Sequence, residues 1–165
     1  MTVATGSQAL AADIFGGRVT TLVYKTADET VNNSNDFQND DHLVFAVTAN
    51  SIWIVQYFLH VLQGANNDVD IKVTVTVPAE GTDMIMGRTM EPAAATSADD
   101  TFIVNAGNAS VVDLASGEEK LIFHRLLIQN GANAGNVQLQ WAQQVAAAVD
   151  TKLLKGSCLI GWRIV

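Results

Sequence analysis

The chain has 165 residues, of which 48% are hydrophobic and only 16% charged, and its net charge is −8. That length fits one domain, or one domain with an arm, and a charged fraction below the usual ~25% hints that other subunits cover part of the surface. The nine Lys and Arg are scattered singly; without clustered positive charge to displace counterions, neither nucleic acid nor an anionic membrane surface is an expected partner.

Residues 1–18, "MTVATGSQALAADIFGGR", are small and polar, with one apolar cluster at Leu10, Ile14 and Phe15 beside a Gly16-Gly17 break. The stretch has no positive n-region or apolar h-region of a signal peptide. It is too short to fold alone, and reads either as a frayed terminus or, more sharply, as an arm that orders by docking on a neighbour, with Leu10, Ile14 and Phe15 as its contact residues. The domain division expected is therefore 1–18 arm, 19–165 folded domain.

From Val19 onward the pattern predicts strands near Val19–Tyr24, His42–Val47, Ser51–Leu62, Asp70–Val77, Met84–Met90, Thr101–Asn105, Lys120–Gln129, Asn136–Ala142 and Ser157–Val165. Clusters of Asn, Asp, Gly and Ala separate them, such as "NNSNDFQNDD", "QGANND" and "NGANAGN". Many short strands with turn chemistry between them predict an all-β antiparallel sandwich or barrel. The Ala-rich "WAQQVAAAVDTKLL" follows the strand-like "VQLQWAQ" and is read as a loop or short turn.

In "DIKVTVTV" (Asp70–Val77) Ile71, Val73, Val75 and Val77 alternate with polar residues, so one face should be dry and the Lys72, Thr74 and Thr76 face wet. Two other segments break that rule. Ser51–Leu62 puts Trp53, Val55, Tyr57, Leu59 and Val61 on one face and Ile52, Ile54, Gln56, Phe58, His60 and Leu62 on the other. Lys120–Gln129 does the same, with Leu121, Phe123 and Leu127 opposed to Ile122, Leu126 and Ile128. A sandwich strand needs one dry face; a second one calls for a cover. With almost no helix available, a subunit boundary is the simplest, and Phe58, His60 and Ile128 are its expected interface residues.

Motifs for chemistry are missing. His42, His60 and His124 share no metal-ligand spacing and have no Cys nearby, so no metal or cofactor is expected. The acidic pairs Asp28-Glu29, Asp40-Asp41, Asp99-Asp100 and Glu118-Glu119 each sit in an expected turn just before a strand, along which adjacent residues point to opposite faces, and read as solvated turn residues. "DFQNDD" has some calcium-loop character but lacks the EF-hand glycine and distal glutamate. There is no G-x-S-x-G, P-loop or G-x-G-x-x-G after a strand. The single Cys158 excludes an intramolecular disulfide and reads as a small core residue, and the three Trp (Trp53, Trp141, Trp162) lie in expected strands and suit buried packing. No catalytic residue and no enzymatic activity are expected.

"VYKTADETVNNSNDFQNDDHLVFAVTANSIWIVQYFL" resembles a module of tailed-bacteriophage virion proteins, through Lys25, Thr26, Asp28, Glu29, Asn39, Asp40, Asp41, Ala49, Asn50 and Trp53. "DIKVTVTVPAEG" is similar to the module's Val-Pro-Ala-Gly step, with Glu80 where a small residue is usual. "GNVQLQWAQ" is similar to its Leu-Gln-Trp-Ala-Gln strand (Gly135, Val137, Leu139, Gln140, Trp141, Ala142, Gln143), and "LLKGSCLIGWRIV" to its closing strand, with Cys158 as a departure. The resemblance spans roughly residues 23 to 165. It implies a jelly-roll-like antiparallel β-sandwich, often trimeric, used as a capsid decoration, head-fibre or tail-fibre module. With no shaft and no coiled-coil heptads in the chain, the expectation is a homotrimeric decoration (cement) protein on the capsid surface, bound to the major capsid protein and bridging capsomers; the alternative is a receptor- or glycan-binding module of a head or tail fibre.

Overall fold

The structure is a computed structural model and describes residues 20–64, 69–79, 81–85 and 109–165. Its elements are β1 (Thr20–Tyr24), β2 (Glu29–Asn32), β3 (Gln38–Val47), β4 (Ile52–Gln63), β5 (Ile71–Thr76), β6 (Thr82–Ile85), β7 (Ser110–Val112), β8 (Glu119–Gln129), β9 (Gly135–Gln143), β10 (Asp150–Leu153) and β11 (Cys158–Arg163). Every pairing among them is antiparallel. The chain is an all-β antiparallel sandwich of a seven-stranded and a four-stranded sheet.

In the larger sheet, β4 is the central strand. Along one edge it pairs with β11 through residues 53–58 and with β10 through residues 61–63. Beyond these lie β1, on β11, and β2, on β10. The other edge of β4 carries β8 over eleven register pairs, and β8 carries β6. Thus β10 and β11 act as one strand interrupted at residues 154–157, and β1 and β2 as one strand interrupted at 25–28. The two interruptions are tied together: the Lys25 N–H donates to the Ser157 carbonyl at 2.8 Å, and the Gly156 N–H donates to the Lys25 carbonyl at 3.0 Å. The smaller sheet runs β3-β9-β5-β7.

Period two places one set of side chains from each strand between the sheets. Trp53, Val55, Tyr57, Leu59 and Val61 of β4 and Ile122, Leu126 and Ile128 of β8 meet Leu43, Phe45, Val47, Ile71, Val73, Val75, Val137, Leu139 and Trp141 of the other sheet in one hydrophobic cluster. Phe45 of β3 meets Trp53 of β4 edge-on, with centroids 5.3 Å apart, bridging the layers.

Expected and observed elements differ at several points. Strand β3 begins at Gln38, inside the segment read as an acidic loop, and β2, β7 and β10 are short strands that the pattern did not predict. Four residues or fewer cannot establish a period, and their strand state comes from pairing with a neighbour. The Ala-rich stretch is, as expected, a bend, between β9 and β10. The expected strand Thr101–Asn105 and the arm lie outside the described residues. Of the face expected to be wet on β5, Thr76 is exposed, but Thr74 is 6% exposed; it is a short side chain opposite Gln140 in mid-sheet. Lys72 is half-buried, its ammonium 4.7 Å over the Phe37 ring.

Candidate interaction surface

The two sheets differ on their outer faces. On the smaller sheet the outward positions are mostly polar, among them Asn39, Lys72, Thr74, Thr76, Asn136, Gln138 and Gln140, with Val44, Ala46 and the exposed Val111 on the same face. On the larger sheet the outward positions of β1, β11, β4 and β8 form a grid set by the register. One row is Thr20, Trp162, Ile54 and Leu127; the next is Leu22, Ile160, Gln56 and Arg125; the third is Tyr24, Cys158, Phe58 and Phe123; the fourth is His60 and Leu121. Leu22, Tyr24 and Leu121 are exposed, at 65%, 62% and 44%. Ile54, Phe58, Phe123, Leu127, Ile160 and Trp162 are half-buried by one another. Phe58 and Phe123 pack edge-on at 5.3 Å between centroids.

The grid has a polar seam and a charged border. The Arg125 guanidinium donates to Gln56 Oε1 at 3.1 Å. At the lower border His60 Nε2 pairs with Glu119 Oε1. Charges of both signs therefore sit on this face. Cys158 lies within the third row, and burial pushes its thiol pKa up, which makes it a poor nucleophile.

The structure places the expected interface residues on different faces. Phe58 and His60 lie on the outer grid. Ile128 does not: it is 0% exposed, pointing into the sandwich core, and its neighbour Leu127 holds the outward position. The correction follows from period two, because Phe58 faces Phe123 across the ladder and residues an odd number of positions from Phe123 point the other way. Leu10, Ile14 and Phe15 lie outside the described residues. Trp53 and Trp141 are buried and Trp162 is half-exposed on the grid. His124 is fully buried, Nε2 has no hydrogen-bond partner, and desolvation lowers its pKa from 6.5 to about 4.

A second cluster lies inside the sandwich, at the interruption between β1 and β2. The Lys25 ammonium donates to Asp40 Oδ2 at 2.5 Å and to Glu29 Oε2 at 2.9 Å. The Lys25 and Asp40 side chains are 0% exposed and that of Glu29 15%. The ladder between β3 and β9 shifts register between Asn39 and Val44, and that bulge turns two backbone N–H groups onto the Asp40 carboxylate: His42 and Leu43 donate to Oδ1 at 2.9 and 2.7 Å. Gln38 donates to Glu29 Oε1 at 2.7 Å. Asp40 is thus no solvated turn residue. Nothing in the local sequence separates it from Asp41, which is exposed; only the quoted Lys-Thr-x-Asp-Glu and Asn-Asp-Asp elements mark both ends of the cluster. Among the described residues no group of three or more His, Cys, Asp or Glu could hold a metal ion.

No protein-family model matches the chain. No curated protein matches it. Among solved structures, the tripod (BppUct-A-L) from the baseplate of bacteriophage Tuc2009 is similar over 98% of this chain and 72% of that one, at 7% identity and a TM-score of 0.44. That is a likeness of outline, below the level at which a shared role follows.

Proposed function

We propose that this chain is a structural, non-enzymatic protein of a tailed-phage virion that assembles as a homotrimer through the outer face of its larger sheet and decorates the capsid. The observation that supports this reading is the apolar outer grid on β1, β11, β4 and β8, beside a mostly polar outer face on the smaller sheet of the same molecule. Four strands ~4.8 Å apart and four rows ~6.8 Å apart span on the order of 500 Å² per copy. In a trimer each such face is divided between two neighbours, so three copies bury on the order of 1,500 Å² in all, about 500 Å² at each contact, and the contacts close on one another around the axis. Three copies can turn this face toward one threefold axis. The sequence resemblance adds the virion setting, and the arm with Leu10, Ile14 and Phe15 supplies a contact to the major capsid protein.

Light scattering on the purified protein tests the assembly: the expected mass is three chains, and a monomer at micromolar concentration would overturn the reading. Occupancy of undecorated heads tests the partner. Deleting residues 1–18 should leave the trimer intact and reduce head binding tenfold or more, a loss of ~1.4 kcal/mol or greater. Equal occupancy would place binding on the β-domain alone.

The second reading, a glycan-binding fibre module, has one observation in its favour: Tyr24 and Trp162 put aromatic surface on the outer grid. Glycan-array binding lost in Trp162→Ala would support it, as would micrographs showing a few copies at one vertex.

A further inference from the structure

Lys25, Asp40 and Glu29 do not belong to the interaction surface, and their arrangement matches what a condensation would require. The Lys25 nitrogen lies 2.5 Å from one oxygen of a carboxylate in a site closed to water. The other oxygen of that carboxylate already accepts two backbone N–H groups, from His42 and Leu43. A second carboxylate, Glu29, touches the same nitrogen at 2.9 Å. These are a nucleophile in the interruption after β1, an electrophilic carbon and an oxyanion hole in the β3 bulge, and a proton acceptor in β2.

We propose that Lys25 and Asp40 condense spontaneously into an intramolecular amide, with Glu29 moving the protons. The first step passes a proton from the Lys25 ammonium to Asp40 Oδ2 along the hydrogen bond that already joins them. The Nζ lone pair then attacks Asp40 Cγ, and the C=O electron pair moves onto Oδ1, where the His42 and Leu43 N–H groups stabilise the developing charge. Glu29 Oε2 takes a proton from Nζ and returns it to Oδ2. The Cγ–Oδ2 bond breaks, the pair on Oδ1 re-forms the C=O, and Oδ2 leaves as water. The balance is one ammonium and one carboxylate giving one amide and one water, with no oxidant, reductant or other reactant. The fixed approach of the two groups supplies the effective concentration such a reaction lacks in solution.

The location gives the bond a use. Among the described residues β1 is an edge strand that pairs with β11 alone, and the arm precedes it. Tension on the arm would peel β1 from β11 one hydrogen bond at a time. An amide at Lys25 would stop the peeling there by tying the chain covalently to β3 in the opposite sheet.

The test is the mass of the folded, purified full-length protein after denaturation. The linked chain is lighter than its sequence by one water, and the two fragments produced by cleavage after Glu29 remain joined. Lys25→Arg keeps the positive charge but cannot form this amide, and should have its full sequence mass. Glu29→Gln, if folded by circular dichroism, should link at least tenfold more slowly. Wild-type protein with a native circular dichroism spectrum and full sequence mass after overnight incubation would overturn the proposal and leave the cluster a permanent ion pair. Linkage in Glu29→Gln at the wild-type rate would overturn the role of Glu29. Neither result depends on oligomeric state or on capsid binding.

Discussion

At Lys25, in the ion pair that precedes the proposed amide, a single charge decides whether a buried carboxylate is tolerable. Replacing it with Met removes the ammonium and leaves Asp40, with a side chain 0% exposed, facing Glu29 without a cation between them. Breaking a buried pair from one side typically costs about 3–5 kcal/mol, so Lys25→Met should move the urea midpoint sharply downward. His124 acts through its proton. Its folded-state pKa of about 4 lies below the ordinary 6.5 because the charged form would be desolvated. The unfolded chain therefore takes up a proton that the folded one refuses. The stability of the fold is full above pH 6.5, falls as the pH drops toward 4, and levels off below. At pH 5 the loss is roughly 2 kcal/mol relative to neutral pH. Urea melts of wild type and His124→Leu across that range check this: the part of the pH dependence due to His124 should vanish in the variant.

Single elements carry two jobs at once. Strand β4 seals the sandwich with one face and builds the exposed grid with the other, and β8 does the same beside it. Strand β9 ends on Gln143, which is 0% exposed and fully engaged. Its Oε1 accepts from the Ser34 N–H at 3.2 Å and the Ala147 N–H at 3.1 Å, and its amide donates to the Val149 carbonyl at 2.8 Å and to Thr151 Oγ1 at 3.3 Å. One side chain therefore fixes the bend between β9 and β10 and the turn between β2 and β3. Gln143→Leu keeps the bulk but orphans those groups, each at about 1–3 kcal/mol where water cannot replace the bond. The expected result is a stability loss of about 3 kcal/mol or more, with amide exchange rising at residues 144–149 before it rises in β4.

For the whole molecule, the inner faces of β4 and β8 serve folding, and the proposed assembly would use their outer faces. Phe58→Asp places a carboxylate on the outer grid, where it stays wet in the monomer. It should shift light-scattering mass toward the monomer while melting temperature, read under dissociating conditions, stays near that of wild type. Ile128→Asp puts the same carboxylate at a 0% exposed core position and should prevent folding, because an unpaired buried charge costs several kcal/mol, a large share of a domain's stability. A Phe58→Asp protein that remains trimeric would remove the outer grid from the assembly.

The strand-rich architecture was legible because β-branched alternation and Asn/Gly turns are local signals, and the long strands β4, β5, β8 and β9 all lie where the pattern put them. The doubled apolar faces of β4 and β8 were legible for the same reason, since period two assigns each side chain to a face without reference to the rest of the chain. Period two could not say which face meets the other sheet, so Ile128 was drawn to the interface when it belongs to the core. That choice is made by pairing: the face that meets Phe45, Leu139 and Trp141 is the inner one, and those residues come from distant strands. The Lys25–Asp40–Glu29 cluster was invisible as a cluster because its members are ordinary turn residues until a bulge in β3 and an interruption between β1 and β2 bring them together. Sequence alone determined which residues alternate; only the tertiary structure decided which side of each alternation is dry, and which charges are buried with it, because burial is a property of what packs against a strand.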